Sequence, residues 1–207
     1  MRNSLTFRPA GAADYQDGAR LIMLTLHGFG CHLFGFGDLA RAQAALEKFF
    51  HMDANRFSYR YTLFGESAGE VAGILMLFNR PQMRWSMLVL SAFLPRVYRL
   101  GEISKFTKLM GPYRDEEKLA GDELYIAHLA VYEQFRRQGF GLNLLAAAEK
   151  EARNQGKKKL SLLTEIENDT AQALYTKFGF KITDTFRLPE DMQFSGSAGD
   201  VRMEKTL

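Results

Sequence analysis

The sequence is short of cysteine, of net charge and of long apolar runs. Its one cysteine, Cys31, excludes an internal disulfide and fits a protein of the reducing cytoplasm. The formal net charge is only +3 and no basic stripe stands out, which argues against nucleic-acid binding. An apolar run of about ten residues within 85–94 is half of the roughly twenty that span a bilayer, so no membrane span is expected. Residues 1–10 lack the apolar core of a signal peptide because Arg8 interrupts them.

Apolar and aromatic side chains, by contrast, are plentiful. At 207 residues, with 46% hydrophobic and 13% aromatic residues, the chain is large enough to bury a substantial core. We therefore predict a single domain over residues 1–207. His27 and His32 are candidate metal ligands, but no carboxylate or cysteine pattern accompanies them, so no metal site is predicted.

A strand, a polar turn and a helix follow one another in residues 123–141, whose sequence is ELYIAHLAVYEQFRRQGFG. The apolar spacing after the turn predicts a helix over residues 142–154. Backbone N–H groups in the first turn of a helix have no partner within the helix, and the helix dipole favours anions there. Glycines leave this backbone uncovered and arginines add positive charge beside it, which makes the turn a candidate pyrophosphate site. These residues are Arg136, Arg137, Gly139 and Gly141.

The same two glycines also suit a plain structural turn between a strand and a helix. A dinucleotide-binding fold would have three glycines and a downstream acid, and a P-loop would have a Gly-Lys-Ser/Thr run; neither pattern is in the sequence. A second block favours the binding interpretation. Its sequence NDTAQALYTKFGF, residues 168–180, follows a predicted strand over residues 159–166.

Together these two blocks resemble the GNAT superfamily of acetyl-CoA-dependent N-acetyltransferases. The family's central signature is an Arg or Gln, two residues, Gly, one residue, and then Gly or Ala, and RRQGFG at residues 136–141 matches it. The later block is similar to the family from Asn168 through Tyr175 to Phe180. The resemblance covers roughly residues 122–182, the acetyl-CoA-binding core of the family.

The resemblance implies acetyl-CoA as a co-substrate and assigns its contacts. The pantetheine arm is expected to pair with the strand before the turn, where a backbone N–H would also meet the acetyl oxygen. The pyrophosphate is expected on the N–H groups of the turn, with Arg136 capping it. The implied strand contacts are Leu129, Ala130 and Val131, and the implied turn contacts are Arg136, Arg137, Gln138, Gly139, Phe140, Gly141 and Leu142. Asn168 resembles a residue that contacts pantetheine, although helix capping alone would also explain it.

The resemblance also points to catalytic residues. Tyr175 matches the position of a tyrosine that protonates the departing sulfur of coenzyme A, and a phenol is protonated at neutral pH. For the base, Glu123 and His128 are both candidates. Period-two alternation puts Glu123 and Leu129 on one face and His128 on the other unless a bulge switches the face, so the two candidates are not expected to act together. Direct attack by the neutral fraction of the amine stays an alternative.

The remaining elements are predicted from local pattern. Strands are predicted over residues 4–8, 57–64, 71–78, 181–187 and 200–207, a hairpin turn over 65–70, and helices from residue 14 and over 39–52. Residues 27–38 are rich in Gly and Phe and predict a loop or broken helix, which either forms an aromatic substrate wall or fills the core. Residues 188–199 predict a loop beside the acceptor site.

Residues 80–121 are an insertion relative to the simplest members of the family. Two helices packed over the sheet account for its apolar residues, and the acidic residues 115–117 are expected in solvent. The apolar residues are interpreted as ordinary core. A lid over an apolar acceptor pocket, a homodimer face and peripheral membrane contact are the alternatives.

The predicted fold is α/β: a GNAT-like mixed, mostly antiparallel curved sheet flanked by helices, with a helical insertion before the central cofactor strand. The resemblance implies transfer of an acetyl group from acetyl-CoA to an amine of a small molecule or peptide, by direct attack in a ternary complex. A coenzyme A-binding regulatory or interaction module without turnover, and a transferase that uses another acyl-CoA, are the alternatives.

Overall fold

The computed structural model describes residues 5–111, 119–190, 193 and 197–207. Its strands are β1 (Thr6–Pro9), β2 (Thr62–Ser67), β3 (Glu70–Asn79), β4 (Glu123–Val131), β5 (Lys159–Glu165), β6 (Lys181–Arg187) and β7 (Gly199–Thr206). Its helices are α1 (Tyr15–Gly35), α2 (Leu39–His51), α3 (Arg80–Val97), α4 (Leu100–Met110), α5 (Phe140–Asn154) and α6 (Asp169–Phe178). The strands form one sheet in the order β1-β2-β3-β4-β5-β7-β6. Neighbouring strands are antiparallel except β4 and β5, so the predicted mixed, mostly antiparallel sheet is confirmed.

The parallel pair at the centre of the sheet separates after one short stretch. Residues 123–126 of β4 pair with residues 159–162 of β5. Beyond this stretch, residues 128–131 pair with β3 only, while β5 continues along β7. The two strands therefore diverge and leave an open edge on β4.

A bulge on β4 coincides with this divergence. Met76 of β3 lies opposite His128 and Leu77 lies opposite Ile126, so Ala127 has no partner in the register. One extra residue reverses the alternation of side chains beyond it. His128 therefore shares a face with Tyr125, and of the two possibilities stated for this strand the one with a bulge is observed, so that Leu129 lies on the face opposite Glu123.

The sheet supports two cores, one on each face. One core lies under α1 and α2 and is rich in phenylalanine, with Phe34, Phe49 and Phe57 in mutual ring contact. The other lies under α5 and α6 and contains mainly aliphatic side chains, such as Leu144 and Leu162. Helices on both faces of a sheet bury both of its apolar surfaces.

The strand predicted over residues 57–64 and the hairpin turn predicted over residues 65–70 have different bounds in the structure. The strand predicted over residues 57–64 starts five residues late, at Thr62, because the Ser58 hydroxyl accepts a hydrogen bond from the Arg60 N–H and starts a 3₁₀ turn. The hairpin turn is confined to Ala68 and Gly69, both at positive φ. In the region predicted as a loop or broken helix, α1 continues to Gly35 across a break at residue 27.

The insertion consists, in its described part, of α3 and α4. An Asn79–Gln82 capping box begins α3. Phe106 and Met110 of α4 are buried in the core under α1, which agrees with the core interpretation, whereas Trp85 and Leu88 of α3 are 59% and 65% exposed. The acidic residues 115–117 lie outside the described residues. Among the helices that the structure describes, none has the length and apolar character needed to cross a bilayer.

Candidate active site

A cavity of about 1230 Å³ opens where β4 and β5 diverge, and we call it the cleft. The glycine turn and the first residues of α5 line one end of the cleft. The free edge of β4 and the side of α6 line its middle, and α1 lines the other end. The residues expected from the sequence to bind a cofactor thus lie along one continuous cavity, with the exception of Gln138, which does not line it.

The glycine turn presents backbone donors to the cleft. The first intrahelical bond of α5 runs from the Asn143 N–H to the Gly139 carbonyl at 3.2 Å, which leaves the N–H groups of Phe140, Gly141 and Leu142 without acceptors in the helix. All three residues line the cleft. Unpaired N–H groups at the positive end of a helix dipole form a site for an anion.

The two glycines of the turn are needed for different reasons. Gly139 has φ 84°, a conformation that favours glycine, and a side chain built on it would point into open space. A Cβ on Gly141 would lie 3.0 Å from the Leu174 side chain, so Gly141 allows α5 to approach α6 closely. Of the two glycines, Gly139 is therefore the one that leaves the backbone N–H groups of the turn uncovered.

Positive side chains surround the turn. Arg136 and Arg137 are exposed and line the cleft, and Arg137 has a positive φ of 60°. The Arg136 Nε donates to the Val131 carbonyl at 3.1 Å, which holds the arginine beside the end of β4. Lys177 of α6 also lines the cleft, although its sequence position gave no signal for this.

The free edge of β4 offers backbone groups to an extended ligand. The Tyr132 N–H donates to the Ala72 carbonyl of β3 at 2.9 Å. Because hydrogen-bonded residues alternate along an antiparallel strand, Ala130 also turns its backbone groups toward β3. The N–H and C=O groups of Leu129 and Val131 therefore point to the open side, where all three residues of 129–131 line the cleft.

Two polar residues approach the cleft from α6 and its start. Tyr175 lines the cleft with 8% of its surface exposed, and burial raises its pKa to about 12. Its hydroxyl therefore stays protonated and able to donate across the neutral range. Asn168 also lines the cleft, and its side chain accepts the Ala171 N–H at 3.1 Å, so it caps α6.

His128 lies in the cleft wall next to α1 and is 4% exposed. Its Nδ1 is 2.6 Å from the Thr25 hydroxyl oxygen, and that hydroxyl donates its single hydrogen to the Ile22 carbonyl at 2.7 Å. The Thr25 oxygen must then accept from Nδ1–H, which leaves Nε2 as the unprotonated nitrogen. Among the described residues Nε2 has no hydrogen-bond partner. Burial, with a smaller contribution from the charge of Arg56, lowers the pKa of His128 well below its usual value.

Glu123, the other base candidate, does not line the cleft. Its side chain is 2% exposed, and its carboxylate accepts hydrogen bonds from the Ser161 hydroxyl, from Arg202 and, at 2.9 Å, from the Ala120 N–H. The bulge puts Glu123 and His128 on the same face of β4, but the carboxylate lies at the closed end of the strand pair, where it joins β4, β5 and β7. The geometry therefore indicates a structural role for Glu123.

The end of the cleft beside α1 is mostly apolar. His27, at φ 44° and ψ −136°, breaks α1, and its Nε2 lies 3.9 Å from the Glu165 carboxylate at the end of β5. Phe29 and Leu33, one helical turn apart beyond the break, line the cleft together with Phe57. Phe34 is a fully buried core residue, which agrees with the core-filling alternative for residues 27–38.

Comparison with known proteins agrees with this geometry. The profile of the acetyltransferase (GNAT) family matches residues 32–180. An uncharacterized N-acetyltransferase of Bacillus subtilis strain 168, YycN, is 40% identical over 62 residues, which are 30% of this chain and 40% of that protein. The matched segments span less than half the length of the curated relatives.

Solved structures extend the likeness over the whole chain. A crystal structure of an acetyltransferase is 26% identical, with a TM-score of 0.64, over 97% of this chain and 98% of that one. An N-acetyltransferase from Staphylococcus aureus Mu50 has a TM-score of 0.73 over 98% of this chain and 100% of that one, and at 21% identity it shows a shared fold. With a family profile that covers most of its length, the chain belongs to the acetyltransferase (GNAT) family.

Proposed function

We propose that this protein transfers an acetyl group from acetyl-CoA to a primary amine, by direct attack while both substrates are bound. One observation carries the proposal: His128, whose buried Nε2 has no hydrogen-bond partner among the described residues, lines the same cavity as the anion-binding turn at Gly139. A buried polar atom without a partner is costly to leave unsatisfied, so a hydrogen-bond donor from a ligand is expected there. The amine of an acceptor supplies such a donor.

The cleft fits acetyl-CoA at each of its parts. The open space above Gly139 and the free N–H groups of residues 140–142 suit a diphosphate, with Arg136 and Arg137 adding positive charge. The backbone groups of Leu129 and the N–H of Val131 suit the amide-containing pantetheine arm, which would add to the sheet as a strand does. When bound, acetyl-CoA supplies a thioester carbonyl that an amine can attack.

The remaining tasks belong to side chains and backbone of this protein. The N–H groups at the edge of β4 stabilise the negative charge that develops on the acetyl oxygen. His128 accepts through Nε2 the proton that the attacking nitrogen loses as the new C–N bond forms. Tyr175 donates its hydroxyl proton to the sulfur as the C–S bond breaks, and the products are an amide and free coenzyme A. Asn168 fixes the start of α6, which carries Tyr175.

The low pKa of His128 suits this role. A neutral imidazole in a desolvated wall does not compete for a proton with the entering ammonium, which loses its own proton to water before attack. As the C–N bond forms, the nitrogen becomes a much stronger acid, and the imidazole then accepts its proton. His128 is therefore a hydrogen-bond acceptor before the reaction and a base during it.

The experiment that tests this function is the Tyr175→Phe variant, assayed by thiol release from acetyl-CoA with an amine acceptor. We expect kcat to fall about 100-fold, within the range for general acids, and acetyl-CoA affinity to change less than about twofold. Tyr61→Phe makes the same change outside the cleft and is expected to keep full activity. An unchanged kcat in Tyr175→Phe would remove the tyrosine from the mechanism.

The pH profile provides a second readout on the same residue. Since the pKa of Tyr175 is about 12, the protonated hydroxyl persists through pH 10. We therefore expect kcat/KM of the wild-type protein for an alkylamine to rise through pH 10 as the amine loses its proton, without a decline. A decline between pH 8 and pH 10 would show that another, more acidic group donates the proton.

A further inference from the structure

The cleft continues past His128 into a pocket whose wall is apolar. We call it the acceptor pocket, and its apolar lining consists of Leu24, Leu26, Phe29, Leu33, Phe57 and Met110. Four of these side chains are almost wholly buried, and the exposure that they retain is toward the cleft that they line. They come from α1, from the segment between α2 and β2, and from the end of α4, so three distant parts of the chain form one wall.

The apolar wall begins next to the base. The ring of Phe57 lies 6.1 Å from the ring of His128, centre to centre. The break at His27 ends the first part of α1 just after Thr25, the partner of His128, and the second part then presents Phe29 and Leu33 to the same space. A group bonded to a nitrogen at His128 Nε2 would therefore meet hydrocarbon surface.

The apolar wall disfavours a second cation on the acceptor. The carboxylates that line the cleft are Glu133, Glu165 and Asp200, which follow β4 or lie at the ends of β5 and β7, and none of them belongs to the wall of the acceptor pocket. The His27 Nε2 lies 3.9 Å from the Glu165 carboxylate. A second ammonium on the acceptor would lose hydration in the pocket without gaining a carboxylate of its wall.

We propose that the acceptor is a monoamine on an apolar alkyl or aryl body, with its amine at His128 Nε2 and its body in the acceptor pocket. This inference rests on the proposed acetyl transfer and adds the substrate class. Polyamines and other acceptors with a second charged nitrogen a few carbons from the first are poor substrates. The pocket distinguishes the two classes because a second ammonium must lose its hydration against an apolar wall, whereas an alkyl end does not.

The test compares two amines that differ at one end only, hexylamine and 1,6-diaminohexane, with saturating acetyl-CoA at pH 8. We expect kcat/KM for hexylamine to exceed that for 1,6-diaminohexane by at least about tenfold. Equal rates, or a preference for the diamine, would overturn the inference. If neither amine is acetylated, the same pair is titrated calorimetrically into the protein–coenzyme A complex, and absence of tighter hexylamine binding overturns it as well.

A substitution in the acceptor pocket tests whether the pocket causes the preference for hexylamine. Phe29→Ala is expected to lower kcat/KM for hexylamine about tenfold and to leave acetyl-CoA affinity unchanged, while Leu88→Ala, which removes an exposed apolar side chain outside the cleft, changes neither. An unchanged hexylamine preference in Phe29→Ala contradicts the assignment of the pocket.

The two proposals fail in different ways. Failure of acetyl-CoA to bind would reject acetyl transfer itself. Binding of acetyl-CoA with efficient acetylation of the diamine would reject only the substrate class.

Discussion

At the scale of single residues, the Thr25 hydroxyl selects which nitrogen of His128 carries the proton. Thr25 donates to the Ile22 carbonyl and accepts from Nδ1–H, and this fixes the tautomer with Nε2 unprotonated. Thr25 touches neither substrate in the proposed mechanism and is a positioning residue. No pattern in the sequence connects the two residues, because 103 positions separate them.

Replacing this hydroxyl tests its role without changing the shape of the side chain. In Thr25→Val the imidazole loses the acceptor that selects its tautomer, and we expect kcat to fall about tenfold, equivalent to one lost hydrogen bond of about 1.4 kcal/mol. Thr25→Ser keeps the hydroxyl and is expected to restore most of the rate. Both variants should bind acetyl-CoA as the wild type does, so equal kcat in Val and Ser variants would contradict the positioning role.

At the scale of elements, β4 is paired with strands on both sides at its start and with β3 alone at its end. Its first four residues pair with β5, and Glu123 there accepts hydrogen bonds from Ser161 of β5 and from Arg202 of β7. After Ile126 the bulge at Ala127 and the loss of pairing open the strand to the cleft. The buried ion pair thus holds three strands together beside the point where two of them separate.

This arrangement predicts that loss of the Glu123 charge affects stability more than chemistry. Glu123→Gln leaves Arg202 buried with less compensation, and we expect the free energy of unfolding in urea to fall by about 3 kcal/mol. Asp53→Asn, which breaks an exposed pair with Arg60, is the control and should leave the urea midpoint nearly unchanged. In buffer without urea, at a temperature where the variant is folded, kcat should stay within about threefold of the wild-type value. A 100-fold loss of kcat at unchanged stability would instead make Glu123 a catalytic base.

The sequence predicted those elements best whose signals are local. The periodic apolar positions marked α5 to within two residues, Asn168 marked the start of α6, and β6 was predicted with its observed bounds. The strand predicted over 57–64 was placed five residues too early, because Phe57 packs in the core and is not part of the sheet, while Ser58 starts a turn.

The parts of the site that the sequence could not place depend on tertiary structure. Whether His128 faces α1 or α5 depends on the bulge at Ala127, which the apolar pattern of β4 does not reveal because both faces of this strand are buried. The divergence of β4 from β5 likewise follows from strand pairing and not from a motif. The apolar lining of the acceptor pocket looks, in sequence, like ordinary core.

At the scale of the whole molecule, the cleft lies between the two cores. The core under α5 and α6 supports the glycine turn and Tyr175, and the core under α1 and α2 supports His128 and the acceptor pocket. The insertion completes the core under α1 and α2 through Phe106 and Met110, and Met110 also lines the cleft. The insertion is therefore part of the scaffold around the acceptor.

The central claim is that the cleft holds acetyl-CoA with its diphosphate at the Gly139 turn, and calorimetric titration with acetyl-CoA tests it most directly. Three proteins are compared: the wild type, Gly139→Ala, and Gly156→Ala. Both glycines have positive φ and open space around them, so the two variants carry similar backbone strain, but only Gly139 lines the cleft.

We expect one acetyl-CoA to bind the wild type with micromolar affinity, because Gly139 leaves the donors of the turn uncovered. Gly139→Ala should bind at least tenfold more weakly, and Gly156→Ala should bind as the wild type does. Absence of binding to the wild type up to millimolar acetyl-CoA, or equal binding by all three proteins, would contradict the account.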